Sequence, residues 1–282
     1  IGIGALDNPN TDNTQSHFGG SNTAIGYQAL TSNTIGYYNS AQGYSSLLSN
    51  TTGSNNSAQG YASLHYNTTG SNNSAQGMYA ILSNTTGNNN SAQGCQSLYS
   101  NTTGSNNSAQ GMYAILSNTT GDSNSAQGYS SLYSNTTGSN NSAQGMQAAR
   151  YIADGTTALN IVNQGVFLGA NTKALDDNST NEIVIGYNAT GLGSNTVVLG
   201  NNSITKTVLK GNIGIGTTSP TAQLEIKGSG ATSATSSLLV KNSSDVELLK
   251  VRDDGTSVLK ADTVINGVTV GKGKSSLTSN TA

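Results

Sequence analysis

Asn56-Ser57-Ala58-Gln59-Gly60-Tyr61-Ala62-Ser63-Leu64-His65-Tyr66-Asn67-Thr68-Thr69-Gly70-Ser71-Asn72 is one unit of a 17-residue repeat. Its signature, Ser-Ala-Gln-Gly, begins at Ser40, Ser57, Ser74, Ser91, Ser108, Ser125 and Ser142 with no insertion between copies. A variant, Thr23-Ala24-Ile25-Gly26, stands one period earlier. A fixed short period marks a stacked repeat architecture. Two positions of the unit are regularly large and apolar. One holds Tyr44, Tyr61, Met78, Cys95, Met112, Tyr129 and Met146; the other, three residues on, holds Leu47, Leu64, Ile81, Leu98, Ile115 and Leu132. The Asn-Thr-Thr-Gly segments are turn chemistry, because Asn and Gly tolerate positive φ. A helical pair needs a longer unit, and Gly at two fixed places penalises helix heavily. Two short strands joined by tight turns fit, so the expected fold is all-β, with each unit one coil of a parallel β-solenoid. Coils hydrogen-bonded at about 4.8 Å would make eight of them a rod roughly 40 Å long.

Composition narrows the function. Of 282 residues only 9% are charged and 5% aromatic, with 35 Gly and no Trp; a typical soluble domain is about a quarter charged. Polar, weakly charged chains can be disordered, but disorder has no reason to hold a strict register. All 11 Lys and Arg lie from Arg150 onward, and Asp122 is the only charged residue between Gly19 and Ala149. No basic stripe exists to neutralise phosphates, so nucleic acid is not an expected partner. No apolar run reaches the ~18 residues of a membrane-crossing helix, so no membrane insertion of this segment is expected. Cys95 occupies a slot that other repeats give to Tyr or Met and reads as a packing residue.

Stacking in register places like side chains above one another. Gln42, Gln59, Gln76, Gln93, Gln110, Gln127 and Gln144 should form one amide ladder, satisfying donors and acceptors along the stack. The functional alternative for that column is a row of exposed amides gripping a ligand such as a glycan. Each unit carries few apolar side chains, so oligomerisation is expected to supply missing burial. Asn-x-Ser/Thr recurs at Asn50, Asn67, Asn84, Asn101, Asn118 and Asn135, and again at Asn55, Asn72, Asn89, Asn106 and Asn140. These are candidate glycosylation sites, although Asn and Thr also serve turns.

Four segments follow from the pattern: the regular repeat over 1–152, a less regular roll over 153–220, a meander over 221–270 and the start of a further repeat block over 271–282. In the meander, Leu224-Glu225-Ile226, Leu238-Leu239-Val240, Val246 to Val251 and Val258-Leu259 read as short antiparallel strands. Turns at Asn242–Asp245 and Asp253–Gly255 separate them. Three copies interleaved as a β-prism would make a stalk. Asn280-Thr281-Ala282 joined to Ile1-Gly2-Ile3-Gly4-Ala5-Leu6 matches Asn22–Leu30 at seven of nine places. The expectation is one period of a longer polymer, Ala282 continuing into an Ile1-like segment.

Catalytic and metal chemistry find no constellation. His17 and His65 lie in different units without a partnering carboxylate. Gly267–Ser275 ends in Gly-Lys-Ser, but the required first Gly falls at Val268. Asp176-Asp177 and Asp253-Asp254 read as turns. No enzyme, cofactor or metal is expected.

Asn22-Thr23-Ala24-Ile25-Gly26-Tyr27-Gln28-Ala29-Leu30 resembles the head repeats of trimeric autotransporter adhesins and related phage tail-fibre proteins. So do Ile183-Val184-Ile185-Gly186 and Val197-Val198-Leu199-Gly200, whose glycines are 14 residues apart. Gly211–Pro220 is similar to a segment common in fibre shafts. The resemblance implies a left-handed parallel β-roll, three chains about one axis, displayed on a cell or virion. Seven repeats depart from it by placing Gln where the family has Ile. The functional expectation is a homotrimeric, extracellular, structural fibre segment with an adhesive surface for a glycan or other surface ligand. A phage tail-fibre shaft is the alternative, and a depolymerase fibre or an ice-binding solenoid stands further off. Adjacent Thr residues such as Thr51-Thr52 point to opposite faces of a strand, which disfavours the flat Thr array that ice binding needs.

Overall fold

The computed structural model describes residues 20–232, 235–255 and the backbone of 257–259. His17, the Gly267–Ser275 segment and the Ala282-to-Ile1 seam lie outside the described residues. The chain divides into two compact units after Thr205, each described by itself below. All regular elements among the described residues are β-strands.

The first unit is a parallel β-solenoid. Each regular coil contributes one three-residue strand: β1 (Thr23–Ile25), β2 (Ser40–Gln42), β3 (Ser57–Gln59), β4 (Ser74–Gln76), β5 (Ser91–Gln93), β6 (Ser108–Gln110), β7 (Ser125–Gln127) and β8 (Ser142–Gln144). After β9 (Val162–Asn163) the stack continues through β10 (Val166–Leu168), β11 (Ser179–Thr180), β12 (Ile183–Ile185) and β13 (Val197–Leu199). One sheet of 11 strands runs β1 to β8, then β10, β12 and β13, while β9 pairs with β11. The sheet therefore crosses residue 152 unbroken. Pairing is strictly in register, Ala41 on Ala58 on Ala75. The side-chain period of two turns each central Ala inward and its Ser and Gln outward. Eleven strands give a stack roughly 48 Å long.

In the regular coils no second strand is formed; β9 and β11 supply one only in the two coils after β8. The segment carrying the Leu column is instead a run of turns, because Ser45 and Leu47 and their equivalents adopt left-handed φ. Leu47, Leu64, Ile81, Leu98, Ile115 and Leu132 all lie between 47° and 52°. That conformation costs a non-Gly residue roughly 1–2 kcal/mol, and here it swings the side chain fully into the core: all six are 0% exposed. Backbone bonds still reach the next coil, Leu47 N donating to Ser63 O at 3.0 Å and Ser49 N to His65 O at 3.0 Å. Gly60 shows why the signature ends in Gly: its φ is +136°, and a Cβ there would stand 2.6 Å from the Gly77 carbonyl oxygen of the next coil.

The Tyr/Met column, read above as a packing position, lies outside. Tyr44, Tyr61, Met78, Met112, Tyr129 and Met146 are 42–50% exposed, and Cys95 is half-buried among them. The core of a regular coil is thus the strand Ala, one Leu or Ile, a second small residue that is Ala in some coils (Ala80, Ala114) and Ser in others (Ser63, Ser97), and buried Asn side chains.

Regularity breaks twice: β13 pairs with β12 only 14 residues on, Ile183 with Val197, and an earlier coil is lengthened. Thr136 Oγ1 donates to Asn160 O, 24 residues on rather than 17, so this coil carries seven extra residues (24 − 17). They project as a hairpin bridged antiparallel between Tyr151 and Ala158, turning at Gly155 with φ +76°. Glu182, fully buried, ends the interior column of Asn residues and accepts from the Leu175 and Gly193 N–H groups at 3.1 and 2.8 Å.

In the second unit β14 (Ile213–Ile215) pairs with β15 (Leu224–Ile226), and β16 (Ser236–Lys241), β17 (Glu247–Arg252) and β18 (Ser257–Leu259) form an antiparallel meander. Asn242–Asp245 and Asp253–Gly255 are its turns, with positive φ at Asp245 and Gly255. Leu224–Ile226 differs from the antiparallel expectation. It pairs parallel, Ile213 to Leu224 and Ile215 to Ile226, because the short Thr217–Gln223 excursion returns the chain alongside β14 in the same direction.

Candidate functional site

The strand face of the solenoid presents two outward columns, Ser and Gln. Gln59 Nε2 donates to Gln42 Oε1 at 3.3 Å, and the five links from Gln76 to Gln144 span 2.7–3.0 Å. All these amides are exposed, so each link competes with water and contributes no more than about 0.5 kcal/mol, the low end of the range for a hydrogen bond. Towards both ends the same column turns apolar: Ile25 is 50% exposed, Leu168 42% and Leu199 58%.

The interior carries two further amide ladders. Asn50, Asn67, Asn84, Asn101, Asn118 and Asn135 sit at one corner, each 0% exposed. Asn67 Nδ2 donates to Asn50 Oδ1 at 2.8 Å and to Gly70 O at 2.9 Å, and the pattern recurs coil by coil. A second column, Asn39, Asn56, Asn73, Asn90, Asn107 and Asn124, offers its Oδ1 to the backbone N–H of the next Asn and its Nδ2 to a glycine carbonyl; Asn141 closes it, accepting from Gly165 N–H and donating to Val162 O. These ladders satisfy polar groups that a thin core would otherwise strand. Sequence reasoning read the corner Asn as turn residues or glycan acceptors. Its signal was there: Asn holds both positions in every regular coil, where a turn alone would also accept Asp, Ser or Gly. In the folded coil the Asn50-type Nδ2 is shielded and committed to two bonds, so a glycan there would have to displace both. Asn55, Asn72, Asn89, Asn106 and Asn140 are exposed, at left-handed φ of 57–62°.

Aromatic side chains cluster beyond the Gly turn. Tyr27, Tyr44 and Tyr61 stack with ring centroids 5.2 and 5.1 Å apart. Tyr79 then meets Tyr61 edge-on at 5.2 Å and Tyr99 at 6.3 Å, and Tyr113 meets Tyr129 at 5.9 Å and Tyr133 at 6.3 Å. Arg150 lies 4.6 Å from the Tyr133 ring centroid and 5.0 Å from that of Tyr151, within cation–π range. His65 is half-buried against Tyr66, its Nδ1 3.0 Å from Ser45 O.

The paired threonines divide their roles. Thr51 Oγ1 donates to Thr68 O at 3.0 Å while Thr52 faces solvent, so each coil exposes one Thr of the pair. In the hairpin, the Thr157 hydroxyl and the N–H groups of Thr157 and Thr156 hold the Asp154 carboxyl down at about 2. Asp177 caps the neighbouring coil, accepting from the Asn160 and Ile161 N–H groups at 2.8 and 2.7 Å. Among the described residues no group of three His, Cys, Asp or Glu could hold a metal ion, and no helix is long and apolar enough to cross a membrane. No protein-family model matches this chain, and no curated protein or solved structure is significantly similar to it.

Proposed function

We propose that this chain is a segment of an extracellular fibre, structural in role, with an adhesive surface along its coils. The observation that carries the reading is the in-register stack itself: an 11-stranded sheet whose regular coils have an apolar interior of one Leu or Ile and one or two Ala. Such a coil gains length cheaply and burial poorly, which favours association. Exposed apolar side chains support the same point, Val197 at 61% and Leu199 at 58% on the strand face, Leu224 at 56% and Leu248 at 47% in the second unit. On this reading three left-handed coils associate through that face, three meanders interleave as a β-prism spacer, and coils continue from one copy into the next. Sedimentation velocity of the full chain tests the trimer: a species of three times 28.6 kDa is expected, and a monomer at all concentrations would contradict it. Electron microscopy of native material tests the fibre, continuous filaments supporting end-to-end growth and isolated compact particles opposing it.

A further inference from the structure

A longer period is written over the 17-residue one on the aromatic side of the solenoid. Coils carrying Met78-Tyr79 and Met112-Tyr113 alternate with coils carrying Leu98-Tyr99 and Leu132-Tyr133. The structure brings the tyrosines of each couple together in the same way. Tyr79 on Tyr99 and Tyr113 on Tyr133 both have centroids 6.3 Å apart, with interplanar angles of 81° and 79°. One cluster is therefore built twice, two coils or about 9.6 Å apart along the axis. All four rings are half-buried, held by neighbours yet partly open to solvent.

The strip runs into a cleft of different character. Arg150 follows Tyr133 one coil on, and its guanidinium covers the Tyr151 ring as well. Gln147, Tyr151, Gly155, Asn171, Lys173 and Asn188 line a cleft of about 250 Å³, Tyr151 and Gly155 coming from the hairpin. Lys173 Nζ donates to Asn188 Oδ1 at 2.6 Å. Arg150 and Lys173 are the only Lys or Arg before Lys206; Lys173 lines the cleft and Arg150 lies against the ring of Tyr151, which lines it too. No carboxylate lines the cleft.

We propose that this strip and cleft bind a linear acidic polysaccharide, with its sugar rings on the two tyrosine pairs and a uronate carboxylate received by Arg150 and Lys173. This deepens the adhesive reading above and rests on it. The C–H face of a pyranose packs on the negative face of an aromatic ring, and two identical platforms at about 9.6 Å suit a chain that presents the same face every second residue. The amides of Gln147, Asn171 and Asn188 both donate and accept, as hydroxyl recognition requires. Arginine and lysine discriminate a carboxylate by charge-assisted hydrogen bonds. Two cations are too few for a polyphosphate backbone.

Isothermal titration of the full chain with oligogalacturonate, with cello-oligosaccharide of equal length as the neutral probe, tests the proposal. Oligogalacturonate should bind at least about tenfold more tightly, a preference that high salt erodes. Tyr99→Ala combined with Tyr133→Ala should weaken both sugars by at least about tenfold. Arg150→Gln combined with Lys173→Gln, both at partly exposed positions, should remove the acidic preference and its salt dependence while circular dichroism stays that of the parent. No binding of oligogalacturonate overturns the proposal, as does full affinity in the charge-neutralised variant. A tyrosine variant that dissociates the oligomer also overturns it, since the strip would then be an interface between copies. Sedimentation and microscopy on the same samples separate these failures from failure of the fibre reading.

Discussion

Replacing Asn84 by Ala removes one rung of the interior ladder without touching the surface. Asn84 is 0% exposed and lies outside the left-handed region, so Ala fits its backbone. Its Nδ2 donates to Asn67 Oδ1 at 2.7 Å and Gly87 O at 2.9 Å, and its Oδ1 accepts from Asn101 Nδ2 at 2.8 Å. Gly87 O keeps a second donor in Asn73 Nδ2, at 2.9 Å. Asn67 Oδ1 and one N–H of Asn101 are left buried without partners. At about 1–3 kcal/mol for each stranded group, the loss is about 2–6 kcal/mol. Gln93→Ala is the matched control. It also removes two amide–amide links, of 2.8 and 3.0 Å, but on the exposed face, where the loss should stay below about 1 kcal/mol. Urea unfolding followed by circular dichroism, at one fixed protein concentration, reads both variants against the parent. The reasoning fails if the two variants agree within about 0.5 kcal/mol, because burial would then not be what makes the Asn column matter.

Three further outcomes follow from the same geometry. Gly77→Ala places a Cβ 2.6 Å from the Gly94 carbonyl oxygen at a φ of +134°; strain alone costs about 1–3 kcal/mol, so a lowered melting temperature and soluble yield are expected, and an unchanged melting temperature would contradict the stacking distance. Leu64→Ala empties a fully buried site and should cost about 2–5 kcal/mol, whereas Tyr61→Ala, at a site 46% exposed, should cost less than half as much in the same denaturation assay. Asp154 is depressed from 3.8 to about 2, chiefly by the Thr157 hydroxyl and then by the Thr156 and Thr157 N–H groups. Its ionised form thus supports the hairpin above pH 3.8, and that support disappears as pH falls towards 2. A carboxyl titration by NMR should have its midpoint near 2; a midpoint at 3.8 would mean the turn is not held as described.

The stacked coil was legible because the period is exact in length and the Gly and Asn positions recur in every unit. Which side chains point inward was only half legible. Ala58 and Leu64 both face the core and Tyr61 does not, as a period of two requires of residues three apart, so the two large apolar columns could not share one face. The departure lies at Ser63, buried between Ala62 and Leu64, where left-handed residues at Ala62 and Leu64 turn the chain around the core. The Asn ladders were hidden for a related reason. An Asn that favours a turn, an Asn that forms a sequon and an Asn that bonds its copy in the next coil are one letter, and only burial separates them. The tyrosine pairs could be seen as alternating letters at Tyr79, Tyr99, Tyr113 and Tyr133, but not as contacts, since each pair joins residues 20 apart across a coil boundary. Parallel pairing of Leu224–Ile226 with Ile213–Ile215 depended on how a short loop closes, which local propensity does not specify.

The central claim is that one repeat advances the chain by one coil. Nitroxide labels at outward-facing serines of the strand face measure that advance directly: Ser57 paired with Ser125, four coils on, and Ser40 paired with Ser142, six coils on. With labelled chains diluted in unlabelled ones to remove intermolecular signals, pulsed dipolar spectroscopy should give narrow distributions near 19 Å and 29 Å, about 4.8 Å per coil. Broad distributions, or distances that do not grow in proportion to the number of repeats, would contradict the solenoid.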